Sequence, residues 1–240
     1  MVKKIVKGPA GSSRIKSQWR KVYDGIAKMR AQAEGQKDIE DSPIIIDTSI
    51  DPKLFRFHTL IGLLLSSQTK DSTTSQTVSK LQSQGLTPER MAELSVEEIA
   101  DTIYGVRFHN NKAKYIKNTS KILLEKYDGD IPNDFKKVIA LPGIGPKMAY
   151  LFLQICYGKI EGIPVDTHVH RVANRLGWVK SKNEQETRKQ LQEFMPQEMW
   201  AEADGLLLDL GQNICTAKKP KCGECDISKF CTYYKANHKK

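Results

Sequence analysis

The sequence predicts an all-α protein. Apolar residues recur at helical spacing through most of the 240 residues, and no segment alternates convincingly enough to form a strand. Glycines, prolines and capping residues separate these segments, as they do between helices. There is no internal repeat. A chain of this length can form one large domain or two small ones, with enough apolar surface for a proper core.

The predicted helices begin with an amphipathic one at 19–30. After a linker at 43–52, a helix at 55–66 is apolar on most faces and is therefore expected to be buried centrally. A polar-faced helix follows at 72–84, and Ser95 with Glu98 fits a capping box that opens another. The remaining helices are expected at 111–127, 134–140, 147–157, 167–176, 184–194 and 199–212.

The charge of the chain points to a polyanionic partner. The net charge is +10 and the isoelectric point is near 9.3. A merely basic protein with no such partner remains an alternative. The first 23 residues contain seven Lys or Arg and no acid, which suits a nucleic-acid arm, a nuclear address or a mitochondrial transit peptide. No run of eighteen apolar residues is present, so no membrane span is expected.

A glycine-rich turn joins the helices at 134–140 and 147–157, and it reads LPGIGPK over 141–147. Gly143 and Gly145 allow positive φ and a close backbone approach. Pro146 suits the first position of the second helix. The amides of this turn would face outward at a helix N-terminus, which is an anion site. The pattern indicates a helix-hairpin-helix that binds DNA phosphate, although an ordinary helix connection closed by glycines is the alternative.

Two charged residues beside helix N-termini are candidates for chemistry. Lys147 lies in a first turn, where a cation is disfavoured and its pKa is lowered, so a neutral amine nucleophile is one interpretation. One helix dipole is too weak for that, and partial burial would also be required. A lysine that contacts phosphate or solvent is the other interpretation. Asp166 precedes the helix at 167–176 as an N-cap, and it could also stabilise a sugar cation.

Four of the five cysteines form a separate pattern within 17 residues, C-x6-C-x2-C-x5-C at Cys215, Cys222, Cys225 and Cys231. Disulfides would suit a secreted chain, but no apolar signal stretch opens the sequence. Structural zinc and an iron–sulfur cluster both use four thiolates. The single short hook, Cys222–Cys225, favours a cluster without excluding zinc. Cys156 stands apart in an apolar run and is expected in the core.

Four blocks together resemble the endonuclease III family of DNA glycosylases, most closely its eukaryotic thymine-glycol branch. They are LSSQTKD at 65–71, LPGIGPKM at 141–148, VDTHVHR at 165–171 and the cysteine spacing, in consistent order. The resemblance implies a helix-hairpin-helix glycosylase fold with a four-iron, four-sulfur cluster on the cysteines. It implies a six-helix barrel at 49–160, a cluster domain from 19–48 and 161–240, a flexible basic tail at 1–18, and an active site between the two domains.

The resemblance also implies roles for single residues. Lys147 matches the Schiff-base lysine and Asp166 the catalytic aspartate, while Gln68 resembles the residue that fills the gap left by an extruded base. Phe108 is the candidate for a second wedge, with a core aromatic as the alternative. The expected DNA contacts are completed by Gly143, Gly145 and Lys219, the last of which lies among basic residues between the first two cysteines.

The expected function is therefore that of a bifunctional DNA glycosylase and AP lyase acting on oxidised pyrimidines in base excision repair. Its partner is duplex DNA carrying such lesions or abasic sites, and the enzyme is expected to be a monomer in the nucleus and also in mitochondria, with downstream repair proteins as further partners. An adenine-mismatch glycosylase is the nearest alternative, but that branch lacks a lysine at position 147 and has an extra C-terminal module. A non-catalytic helix-hairpin-helix module is the alternative of another class.

Overall fold

The computed structural model describes residues 12–34 and 49–238, and within these ranges the regular secondary structure is entirely helical. The all-α prediction is confirmed. None of the helices in these ranges is long and apolar enough to cross a membrane. The bounds are α1 Ser12–Glu34, α2 Pro52–Ser66, α3 Asp71–Ser83, α4 Pro88–Glu93, α5 Val96–Thr102, α6 His109–Tyr127, α7 Phe135–Ile139, α8 Pro146–Tyr157, α9 Thr167–Leu176, α10 Glu184–Gln192, α11 Trp200–Asn213 and α12 Thr232–Asn237.

The chain divides into two compact units. The central unit is Ile39–Glu161, and the terminal unit combines Met1–Asp38 with Gly162–Lys240. The boundary at 161/162 lies one residue from the expected one at 160/161, whereas the expected boundary at 48/49 lies at the edge of the described residues. Each unit has a hydrophobic core of its own.

Helix α2 is the centre of the central unit. It begins at Pro52, and the carboxylate of the N-cap Asp51 accepts hydrogen bonds from the backbone N–H groups of Lys53 and Leu54. Every residue from Phe57 to Leu65 is buried, so α2 is covered on all faces, as its sequence predicted. It packs against α3, α6 and α8.

The other helices of the central unit pack on these neighbours of α2: α4 and α5 on α6, and α7 on α8. The capping box of Ser95 and Glu98 is present at the start of α5, which confirms that prediction. Helix α4 was not predicted, although Thr87 caps it and Pro88 occupies its first turn. The described part of this unit thus has seven helical segments, one more than the six expected for its barrel.

The terminal unit joins the two ends of the chain. Helices α9 and α11 pack together, and α1 packs on α11, where the Tyr23 hydroxyl donates to Glu202 at 2.7 Å. The described part of α1 already begins at Ser12, seven residues before the predicted start, so 12–18 are helical and the expected flexible tail is wrong there. Residues 1–11 of that tail lie outside the described residues.

Candidate functional site

The hairpin between α7 and α8 has one glycine that its geometry demands. Gly143 adopts φ +77°, and a Cβ built on it would lie 2.4 Å from Cδ2 of Tyr115 and 3.0 Å from Cδ1 of Leu64. Leu141 and Ile144, on either side, are buried and hold the turn against the core. The backbone at Gly143 is therefore fixed from inside while the residue itself remains exposed.

Gly145 does not adopt the positive φ that its place in the turn allowed. Its φ is −93°, so it is extended rather than left-handed, and it is the N-cap of α8. A Cβ there would meet no atom within 4 Å, so the space above it is open. Because glycine has no capping oxygen and Pro146 has no N–H, the first turn of α8 presents backbone amides without a side-chain cap, as an anion site requires.

These two glycines give a matched pair of variants. Gly143→Ala is expected to lower the free energy of unfolding by about 2–4 kcal/mol, from the left-handed conformation and the clash with Tyr115. Gly145→Ala is expected to lower the free energy of unfolding by less than about 1 kcal/mol. It should nevertheless weaken duplex binding, because the added methyl group occupies the open space through which a phosphate would reach the backbone of Gly145. Urea unfolding and DNA titration of both variants provide the test. Equal losses of stability would contradict it.

Lys147 and Asp166 each lie at a helix N-terminus, in the central and the terminal unit respectively. Lys147 is half-buried in the first turn of α8. Asp166 is the N-cap of α9, and its Oδ1 accepts from the backbone N–H groups of His168 at 2.8 Å and Val169 at 2.9 Å. These two bonds fix the carboxylate at the start of α9.

Gln68 stands at the tip of a tight turn after α2. Ser67 has φ −60° and ψ 120°, Gln68 has φ +54°, and the N–H of Thr69 donates to the carbonyl of Ser66 at 3.1 Å. This is a type II turn, whose third position favours glycine. A glutamine there costs about 1 kcal/mol or more in backbone strain. The strained backbone presents an exposed polar side chain.

Phe108 is exposed in the same way. It is the N-cap of α6 with φ +60°, and 53% of its surface is accessible, so the core-aromatic interpretation is wrong. The guanidinium of Arg107 lies over its ring at 5.1 Å. Among the described residues other than glycine, positive φ occurs at Gln68, Phe108 and Asp128. Two of these three are the residues that the sequence assigned to the DNA duplex.

The four cysteines are brought together in the terminal unit. All are free thiols, and they line one cavity whose other walls are mainly apolar, including Val172, Leu176, Leu210, Ile214 and Ile227. Within the described ranges no three Cys, His, Asp or Glu side chains are grouped so as to hold a single metal ion. The thiols share a cavity instead, and a set of four soft donors around an apolar space fits an iron–sulfur cluster.

Burial favours the neutral form of two of these thiols. It raises the pKa of Cys225 to about 11, and it also raises the pKa of Cys231. A bound metal reverses this preference, because a coordinating thiol is deprotonated. Cys156 lies in the other unit, packs partly buried against the central core as expected, and also has a pKa raised by burial.

Arg175 is a residue of this cavity that the sequence analysis missed. Its guanidinium donates to Sγ of Cys215 at 3.4 Å and to the carbonyls of Thr216 and Ala217, both at 2.8 Å. Its own carbonyl accepts from the thiol of Cys231 at 3.3 Å. Arg175 thereby ties the backbone around Cys215 to α9. The only sequence feature that could have pointed to Arg175 was its position on α9, one helical turn after Arg171.

The basic loop between the first two cysteines is exposed. Lys218, Lys219 and Lys221 all face solvent, and the hydroxyl of Thr216 donates to the carbonyl of Lys219 at 2.7 Å. This bond fixes the backbone of the loop while the ammonium groups remain accessible. The loop can therefore contact phosphate, which is the role expected for Lys219.

Comparison with known proteins identifies the group to which these features belong. Residues 61–197 match the family described as "HhH-GPD superfamily base excision DNA repair protein". The chain belongs to this superfamily. The hairpin, Lys147 and Asp166 all lie within the HhH-GPD match. Residues 215–231 match a second family, the iron–sulfur binding domain of endonuclease III. This confirms the iron–sulfur interpretation of the segment from Cys215 to Cys231 over the zinc one.

Individual relatives within the HhH-GPD superfamily agree. The chain is 43% identical to "Endonuclease III-like protein 1" of Bos taurus over 86% of this chain and 68% of that protein. It is 42% identical to the protein of the same name in Mus musculus, over 89% and 72%. A solved structure of a trapped endonuclease III–DNA covalent intermediate matches with a TM-score of 0.81 at 28% identity, covering 93% of this chain and 99% of that one. The resemblance to endonuclease III and the helix-hairpin-helix glycosylase fold are confirmed.

Proposed function

We propose that this protein is a bifunctional DNA glycosylase and AP lyase that removes oxidised pyrimidines from duplex DNA in base excision repair. The observation that carries the proposal is the half-buried Lys147 in the first turn of α8, directly after the glycine hairpin, in a chain of the HhH-GPD superfamily. An endonuclease III relative has been trapped as a covalent DNA intermediate. A lysine amine at this place supports the same type of intermediate here.

The enzyme first has to expose the damaged nucleotide. A base inside a duplex cannot be reached, so it is turned out at a cost of a few kcal/mol, and a poorly stacked, damaged pyrimidine costs least. The open backbone at Gly145 binds phosphate, while Gln68 and Phe108 enter the space vacated by the base. Their exposure and their left-handed backbone support this assignment.

The chemistry then proceeds through an amine. Nζ of Lys147, in its neutral form, bonds to the sugar C1′ as the glycosidic bond breaks, and the base leaves with a proton. Opening of the C1′–O4′ bond gives a protonated Schiff base. Loss of a C2′ proton sends its electron pair towards the iminium and expels the 3′ phosphate, which nicks the strand. The carboxylate of Asp166 stabilises the cationic sugar and assists proton transfer.

The cofactor is a four-iron, four-sulfur cluster. In this proposal Cys215, Cys222, Cys225 and Cys231 hold it, because their thiols line one cavity. A bound cluster would be held by the four cysteine thiolates, would link them to one another and so fix the surrounding loop, and would supply one-electron redox chemistry. The chain's own contribution is a rigid basic loop, in which Lys219 faces the phosphate backbone and Arg175 anchors the carbonyls beneath it.

Borohydride trapping on a panel of duplexes tests the proposal. Reduction of a Schiff base fixes a covalent protein–DNA complex, and this is expected with oxidised pyrimidines and with abasic sites. A complex that forms only at adenine mismatches would favour the alternative glycosylase. DNA binding with neither trapping nor nicking would leave a non-catalytic module.

The basic loop gives a prediction about salt. Duplex binding is expected to weaken linearly on a logarithmic salt scale, and Lys219→Ala should reduce the slope by about one. Thr216→Val is the control, because it removes the hydrogen bond beneath Lys219 and keeps the charge. Its slope should equal that of the wild type. A slope unchanged in Lys219→Ala would remove this loop from the DNA interface.

The cellular compartment of the protein is proposed from its similarity to known relatives. Similarity to endonuclease III-like proteins of cattle and mouse supports a eukaryotic-type DNA repair enzyme of the nucleus. A second population in mitochondria is the finer proposal, for which the support is the seven basic and no acidic residues among the first 23.

A further inference from the structure

A buried lysine lies beneath the turn that carries Gln68. Lys112, on α6, is only 4% exposed. Its Nζ donates to the carbonyls of Leu65 at 2.8 Å and Ser67 at 2.7 Å, and to Oγ1 of Thr69 at 3.3 Å. An ammonium has three N–H donors, and all three acceptors belong to the segment that surrounds Gln68. The strained turn is therefore held from the inside by one cation.

The same residue is connected to the second exposed turn. The backbone N–H of Lys112 donates to the carbonyl of Phe108 at 3.0 Å, in the first turn of α6. This is an ordinary helical bond that any residue except proline would make, so the side chain of Lys112 supports the turn of Gln68 alone.

Lys112 caps the end of α2, because Leu65 lies in the last turn of that helix and Ser67 follows it. The three acceptors of Lys112 are neutral oxygens, and burial lowers its pKa to about 8. Replacing buried charged groups by apolar residues of similar volume is often neutral or stabilising. An ammonium can donate hydrogen bonds to three oxygens around the turn of Gln68, whereas a methionine side chain can donate none. Without these bonds, the backbone of Gln68 would relax out of the left-handed region.

We propose that Lys112 is a positioning residue that holds Gln68 in the conformation in which it enters the duplex. The inference rests on the proposed function, since it assigns a support to one of the two residues that displace the base. Because Lys112 is almost fully buried in this structure, it has no surface to offer to phosphate. It therefore acts on the extrusion of the base and leaves duplex affinity unchanged.

Lys117 provides a matched control. It lies on the same helix, and its Nζ also donates to two backbone carbonyls, those of Ala92 at 2.9 Å and of Leu94. These carbonyls belong to α4 and the residue after it, not to either exposed turn. Lys112→Met and Lys117→Met each remove one ammonium that binds backbone oxygens of the central unit. Only the first removes it from the turn of Gln68.

The experiment uses the full chain and a duplex with one thymine glycol opposite 2-aminopurine, whose fluorescence rises when it loses its stacking. Lys112→Met is expected to reduce single-turnover excision about tenfold or more and to suppress the fluorescence rise, with the dissociation constant of the duplex within about threefold of the wild type. Lys117→Met is expected to match the wild type in both readouts. Excision by Lys112→Met at the wild-type rate would overturn the inference.

A double-mutant cycle separates positioning from a general loss of stability. If Lys112 acts through Gln68, Lys112→Met should have a much smaller effect on excision in a Gln68→Ala background than in the wild type. Equal effects in the two backgrounds would show that Lys112 supports the fold and does not act through this turn. A wild-type protein that neither excises the lesion nor raises the fluorescence would refute the proposed function itself, and this inference with it.

Discussion

Replacing Lys147 by glutamine is expected to abolish the borohydride-trapped complex on oxidised-pyrimidine duplexes. Glutamine has no amine to bond to C1′, so neither the covalent intermediate nor the nick that follows from it can form. Duplex binding should decrease only modestly, because one positive charge among many is lost. Electrophoresis of the trapped complex and a separate binding titration measure the two effects independently.

Two further variants, Lys137→Gln and Asp166→Asn, are needed to interpret the loss of trapping in Lys147→Gln. Lys137, an exposed lysine of α7 in the same hairpin, is the control, and Lys137→Gln should still be trapped. Asp166→Asn should fold normally, since asparagine caps a helix about as well as aspartate. Its reaction should nevertheless be slower by roughly 10²–10³-fold, because a neutral amide cannot stabilise the sugar cation. If Lys147→Gln is trapped as well as the wild type, another amine is the nucleophile.

The second large effect is expected at the cysteines. Purified without oxygen, the wild-type protein should be brown and contain about four irons per chain, and Cys222→Ser should lose the colour and the iron, because a hydroxyl is a poor ligand for an iron–sulfur cluster. Iron analysis and the visible absorption spectrum measure this. Cys156→Ser is the control with unchanged iron, since that thiol lies in the central unit. Stoichiometric zinc in a colourless wild-type protein would contradict the prediction.

Features set by neighbouring residues were predictable from the sequence. The capping box at Ser95, the buried α2 and the hairpin before Lys147 all depend on local spacing or on local apolar content. The short helix α4 was missed even though Thr87 and Pro88 formed a local start signal for it. The cysteine set was recognisable because its members lie within one short segment.

Features set by distant residues were not predictable. Whether Phe108 was a core or a surface residue depended on the tertiary fold, and so did the conformations of Gly143 and Gly145. The turn of Gln68 depends on hydrogen bonds from Lys112, which is between 43 and 47 residues away from its acceptors. No spacing rule reaches across such a separation, and a polar lysine in a helix gives no sign that it will be buried.

The composition of the terminal unit from both ends of the chain has a consequence for biosynthesis. On the ribosome, α1 is made early, but its partner α11 and the Ile227 side chain, which closely approaches Gly25, are made near the end. At about 5–20 residues per second, the apolar side chains of Val22, Tyr23 and Ile26 wait roughly ten to forty seconds for these partners. The central unit, being continuous, has its whole sequence long before then. Loading of iron is thus restricted to the time after Cys231 has been made, and nascent chains that stop before Cys231 keep the hairpin but lack a complete set of cysteines.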